Sequence, residues 1–383
     1  MKTSLPTGRV CVLAVAVFAV AGLGAGTARA AAPDATSTCI GYAVAHHENA
    51  AHNGNSCVTL PATPTQKWSV TLNGPVSYPI LADGKVFVAT ASSSSYGGSL
   101  YALDATTGRV IWGPVPLSGT YYWFALAYGN GRVFVNNFDG TVAAYETKSG
   151  REDWAQQTDY FSGEPVFYKG VVYLQGAGPV FALSAQTGAI LWSTSQLDGD
   201  GSSLATDDTG VFVFAGCTHY LLSLSTGATV WSTNDGCSGG GGGTVYLDVA
   251  TSRAFEDNLV VRTSDGHTLG TYAGTPAFLG TKGYFVSGTT LFSENVQTLT
   301  PIYSVTLPSR SVTSPVIAGS TLYVGAADAK VYGIDTATGA VTWSHALPGV
   351  PGGGAQYSSP VSDIAVGEGL LVVPSANVLT AFG

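Results

Sequence analysis

The chain has 383 residues, 45% of them hydrophobic and only 10% charged, with 50 glycines and a single methionine. That length demands either two domains or one large repeated architecture. The hydrophobic share excludes disorder, the glycines point to tight turns between short strands rather than long helices, and the net charge of −9 disfavours nucleic acid as a partner.

In chain order, residues 1–30 read as a secretory signal: Lys2 and Arg9 form the basic region, Val10 to Leu23 the apolar run, and Ala28-Arg29-Ala30 a small-x-small cleavage site. The apolar run is too short to cross a bilayer comfortably, and no later segment is long and apolar enough, so no membrane span is expected. A lipid anchor needs a cysteine just past the cleavage point, and Cys39 behind Thr36-Ser37-Thr38 is a poor match, so a released extracellular protein is expected. Loss of the leader leaves 12 basic and 24 acidic residues. It also leaves four cysteines, for which export makes disulfides the default; of the three possible connectivities, the local pairs Cys39 with Cys57 and Cys217 with Cys237 are the expectation.

Residues 31–63 form a lead-in, and from residue 64 to the C-terminus at 383 one pattern recurs. Leu100 to Trp112, Val180 to Trp192 and Val331 to Trp343 stack as a strand, a turn ending in glycine, and a strand whose tryptophan lies four residues past that glycine. Val142 to Trp154 repeats it, and Leu221 to Trp231 repeats it in shortened form. The Asp or Ser and Thr side chains bond turn backbone, and glycine supplies positive φ. Tryptophans at 68, 112, 154, 192 and 231 are followed by a gap of 112 residues to Trp343, which holds three periods. The missing copies are Val260 to Tyr272 and Leu291 to Tyr303, the latter without its turn glycine.

A small hairpin precedes each motif, as at Pro79 to Val88 and Pro315 to Val324, so a period is four short antiparallel strands. The last period, Ser359 to Phe382, supplies three strands, and Lys67 to Leu72 is a fourth with no partners before it. An all-β, eight-bladed propeller of four-stranded antiparallel blades follows, its ring closed by N- and C-terminal strands so that no edge is left open there.

These segments resemble the repeats of the pyrroloquinoline-quinone-type propeller superfamily, and His46-His47-Glu48-Asn49-Ala50-Ala51-His52-Asn53-Gly54 resembles the lead-in that often opens secreted members. The resemblance implies that Trp68, Trp112, Trp154, Trp192, Trp231 and Trp343 dock neighbouring blades. The superfamily includes quinoprotein dehydrogenases, the propeller lipoprotein of outer-membrane assembly, and secreted binding modules. This chain lacks the adjacent paired cysteines that such dehydrogenases commonly carry, a Cys-x-x-Cys-His haem motif and the anchor cysteine of the lipoprotein.

The turn between the second and third strands lies on the same face as the exit from the fourth. The longest connections gather there: 113–124, 155–164, 193–202, 232–243 and 344–358. They carry Tyr121, Tyr122, Trp123, Tyr160, Phe161 and Tyr357, whose rings offer apolar faces with polar rims to a ligand. Asp198 and Asp200 in Asp-Gly-Asp-Gly-Ser resemble part of a calcium loop, without its later acidic ligands. Glu164 before Pro165 reads most simply as a solvated surface residue, with a position facing the axis as the alternative; the short spacing of His46, His47 and His52 suggests a shared ion, for which the lead-in resemblance offers a structural explanation instead. No nucleophile elbow, zinc-protease helix or phosphate loop is present in the sequence. The expectation is a monomeric, non-catalytic extracellular scaffold with no cofactor, which recognises a protein, peptide or cell-envelope glycan through its loop face. The alternative is an oxidoreductase dependent on pyrroloquinoline quinone with calcium, and a third class is a polysaccharide hydrolase or lyase.

Overall fold

The computed structural model describes residues 41–92, 97–121, 124–160, 163–197, 203–234, 236, 243–352 and 361–383. Among these residues the chain is all β without helices, in eight blades of four antiparallel strands, as the repeat predicts. Blade 1 is Ile80–Ala82, Lys85–Ala91, Gly98–Asp104 and Val110–Pro116, paired in chain order. Blades 2 to 7 repeat that order from the first strands Phe124–Gly129, Val166–Tyr168, Ala205–Thr206, Tyr246–Asp248, Thr275–Leu279 and Val316–Ala318. First strands of adjacent blades touch at seven of the eight junctions, blade 8 to blade 1 included, and so line the inner ring.

Blade 8 takes Ala365–Gly367, Leu370–Ser375 and Val378–Phe382 from the C-terminus and Gln66–Thr71 from the N-terminal side. Val70 lies opposite Leu379, and Thr65 and Gly383 exchange backbone hydrogen bonds of 3.2 and 3.0 Å, which closes the ring. The middle strands are covered on both faces by neighbouring blades, hence apolar runs such as Leu370–Ser375 that are buried throughout. The outermost strands are covered on one side only and alternate, as in Val341–Ala346.

Each outer strand carries a register shift, beside its aromatic residue in seven blades, for example between Glu152 and Trp154 and between Gln66 and Trp68, and beside Gly270 in blade 5. The extra residue rotates the ring off the sheet and toward the next blade. There the indole donates to a turn carbonyl: Trp68 to Ala105 at 2.7 Å, Trp112 to Thr147 at 3.1 Å, Trp154 to Ala185 at 3.2 Å, Trp192 to Leu224 at 2.9 Å and Trp231 to Thr263 at 3.0 Å. Trp343 instead packs edge-on against Phe382 of blade 8 at 5.4 Å. Tyr303 stands in for tryptophan in blade 6, its hydroxyl donating to Thr336 O at 3.1 Å. The turn without its glycine is completed by Leu299, which takes a left-handed φ of 53°.

The turn glycine has a second duty, since it lies flat against the preceding blade's indole. Gly108 has φ 69°, and a Cβ there would fall 2.6 Å from the Trp68 ring. Trp68→Ala is expected to cost about 3–5 kcal/mol. Gly108→Ala should also destabilise, through the strained φ and the ring it displaces. Urea unfolding midpoints check both, and an unchanged midpoint for Gly108→Ala would refute this account of the turn.

Candidate functional site

Residues 41–58 of the lead-in, expected ahead of the propeller, lie inside it. The segment circles the axis in blade order and bonds the inner ring as it goes. Gly41 O accepts from Glu368 N of blade 8, Ala43 pairs with Leu81 of blade 1, and Val44 O accepts from Tyr128 N of blade 2. Ala50 packs on Val166 and Tyr168 of blade 3, and its carbonyl accepts from Thr206 N of blade 4. Ala51, Asn53 and Gly54 accept from Leu247, Phe278 and Ile317 of blades 5, 6 and 7, and Asn55–Ser56 then pairs parallel with Val316–Ala318. Turning so tightly forces His47, Glu48 and His52 into left-handed φ values of 53°, 83° and 49°. Such strain persists only where the surroundings over-determine it.

The axis therefore holds buried polar groups. His46 Nε2 lies 3.2 Å from Asp363 Oδ2, and Asp363 also accepts from Ser314 N and Ile364 N. The two ring nitrogens of His47 face the carbonyls of His52 and Pro315 at 2.7 and 2.8 Å, and His52 Nδ1 faces Val245 O at 3.2 Å. Glu48 Oε1 accepts from Val366 N at 2.7 Å. Glu48 Oε2, His46 Nδ1 and His52 Nε2 are buried without a hydrogen-bond partner. Burial and the neighbouring His46 charge pull His47 down to about 4, and burial with both neighbours pulls His52 well below its usual range. Burial opposes protonation of His46, but the Asp363 hydrogen bond and the Glu164 and Asp363 charges prevail and raise its pKa. Burial lifts Glu48 well above the usual carboxyl range. The three imidazoles are thus held by separate partners, and among the described residues no set of three His, Cys, Asp or Glu side chains converges on a metal position.

Around the mouth of this axis lies the loop face. Glu164, read most simply from the sequence as a solvated surface residue, acts electrostatically on His46, Tyr78 and Tyr246. Tyr121 and Tyr160, 40% and 55% exposed, lie in the connections entering blades 2 and 3, and the Tyr121 ring packs on Phe138 at 5.1 Å. Tyr122, Trp123, Phe161, Tyr357, Asp198 and Asp200 lie outside the described residues. Cys57 and Cys217 are disulfide-bonded, with Cys217 at the turn before Thr218–Leu222, while Cys39 and Cys237 lie outside the described residues.

A closed ring of four-stranded blades joined by repeat tryptophans defines a propeller of the pyrroloquinoline-quinone-like type. The chain belongs to the family described as outer membrane protein assembly factor BamB, whose model matches residues 43–121, 98–236 and 222–382. The crystal structure of BamB from Moraxella catarrhalis superposes with a TM-score of 0.63 at 18% identity, covering 84% of this chain and 99% of that one. The quinohemoprotein alcohol dehydrogenase of Comamonas testosteroni is 26% identical over 226 residues, 52% of this chain and 29% of that protein. Its crystal structure gives a TM-score of 0.68 at 14% identity, covering 89% of this chain and 80% of that one. The chain spans less than a third of the length of the curated relatives it matches.

Proposed function

We propose that the protein is an exported, non-catalytic binding scaffold that engages an envelope ligand, protein or glycan, through its loop face. The observation that carries this reading is the axial segment: the chain's own residues 41–58 bond around the inner ring where a central ligand would sit. The described residues at the mouth do not fit a polycarboxylate quinone with calcium. Glu164 and Asp363 make the mouth acidic, and the Asp363 oxygens are already taken up by Ser314, Ile364 and His46. The family membership supports a protein partner, and the expected leader at 1–30 together with disulfide-bonded Cys57 and Cys217 supports export.

The second reading, a quinone-dependent oxidoreductase, is supported by the resemblance to the Comamonas testosteroni dehydrogenase. Titration of the purified protein with pyrroloquinoline quinone, with and without calcium, separates the two, followed by a dye-linked assay over alcohols and sugars. No binding is expected. Binding with turnover would replace the scaffold reading with the dehydrogenase one.

A further inference from the structure

A groove of about 490 Å³ opens on the loop face between blades 6 and 7, within the size range of small-ligand sites. Thr275, Ser287, Gly288, Arg310, Thr313 and Asp363 line it, and the apolar lining is limited to Val286 and Val312. Its floor is fixed. Ser311 N donates to Gly288 O at 2.9 Å, Val312 N to Gly325 O at 2.9 Å, Gly325 N to Thr313 Oγ1 at 2.8 Å, and Ser314 N to Asp363. Gly274 allows the close approach of the first wall, since a Cβ there would meet Val286 O at 2.5 Å.

Arg310 is exposed, and among the described residues its guanidinium makes no hydrogen bond or ion pair. Arg132, Arg151, Arg253 and Arg262 are all engaged. The acids beside the groove are already answered: Asp363 by His46, and Asp328 by Lys330 at 3.3 Å and the Tyr332 hydroxyl at 2.6 Å. Of the other loop-face acids, Asp139 accepts from Thr120 N and Thr141 N in blade 2, while Glu164 acts together with Asp363 on His46 and Tyr246. Among the described residues Arg310 is therefore a cation at the groove with no partner of its own, in an otherwise acidic protein.

We propose that this groove binds a short saccharide bearing a carboxylate, with Arg310 as the carboxylate donor and the hydroxyl and backbone groups of the floor answering the sugar hydroxyls. The proposal rests on the scaffold reading and names a ligand class for it. Polar lining favours a polyhydroxylated ligand over a peptide, which would need apolar pockets for alternate side chains or a free strand edge; Val316–Ala318 is paired on both edges, and Phe278 N in the blade 6 first strand is taken by Asn53 O. A planar guanidinium suits a carboxylate in two-point contact.

The test is calorimetric titration of the full protein with digalacturonate, with the neutral galactose disaccharide and with a short acidic peptide. Digalacturonate should bind at least about tenfold more tightly than the neutral sugar, as a charge-assisted contact implies. Arg310→Gln should erase that preference with an unchanged melting curve, and Arg310→Lys should restore part of it. Should Arg310→Gln fail to fold, the shift of the Arg310 side-chain NMR signal on adding digalacturonate to the unaltered protein decides the question. Equal binding of the two sugars, binding of neither, or an Arg310-dependent preference for the peptide would overturn the assignment. Those outcomes leave the scaffold reading standing, whereas quinone turnover removes the scaffold reading itself.

Discussion

A chain lacking residues 31–60 is expected to melt at least about 10 °C below the full protein, equivalent to a loss of several kcal/mol. The removed segment satisfies inner-ring amides of seven blades: those of Leu81, Tyr128, Thr206, Leu247, Phe278, Ile317, Val366 and Glu368. Each bond contributes about 1 kcal/mol net, and Ala43, Ala50, Ala51 and Leu60 leave the core with them. Differential scanning calorimetry measures the shift. A synthetic peptide of residues 31–60 should recover it in a concentration-dependent way, because a ligand that binds only the folded ring stabilises by mass action. A truncated chain that melts within about 2 °C of the full one, on the same conversion of energy to temperature, would mean that the segment fills the channel without supporting the ring.

The repeat was legible because its determinants are local. A turn that demands glycine and a tryptophan four residues on recur in most blades, and even Tyr303 stands out by spacing, four residues past Leu299. The split blade was legible for the same reason, since Gln66–Thr71 carries the outer-strand signature without the strands that should precede it. The axial path of 41–58 was not, because it depends on the ring's inner surface, to which seven distant strands contribute. The one sequence hint is that, apart from its histidines, Glu48 is the only ionisable residue between Ala43 and Gly54, as befits a buried strap. Arg310 was also passed over. Its isolation follows from strand direction, which sends Lys85, Arg132, Arg253 and Lys282, each at the start of a second strand, to the opposite face. Tyr121 and Tyr160 are exposed, whereas a ligand role for them rests on chemistry that sequence spacing does not encode.

The axial histidines and Glu48 should give the protein opposed pH dependences that a single substitution separates. His47 and His52 have folded pKa values below their unfolded value near 6.5, so the unfolded chain takes up their protons first, and stability falls as pH drops from about 6.5 toward 4. His46 runs the other way: its folded pKa is raised, so its contribution is complete below 6.5 and fades as pH rises through the folded value. Glu48 also has a raised folded pKa, so the unfolded chain releases this proton first and stability falls as pH climbs from about 4.5 toward the folded value. In the natural protein these slopes partly cancel. Glu48→Gln keeps an acceptor for Val366 N and removes the carboxyl proton, so its stability relative to the parent should rise steadily with pH above about 4.5. His47→Asn should flatten the acid limb instead. Urea midpoints for the parent and both variants at pH values from about 4 to 8 test this: parallel curves for Glu48→Gln and the parent would mean that Glu48 is not protonated in the folded axis, and the electrostatic picture of the strap would have to be redrawn.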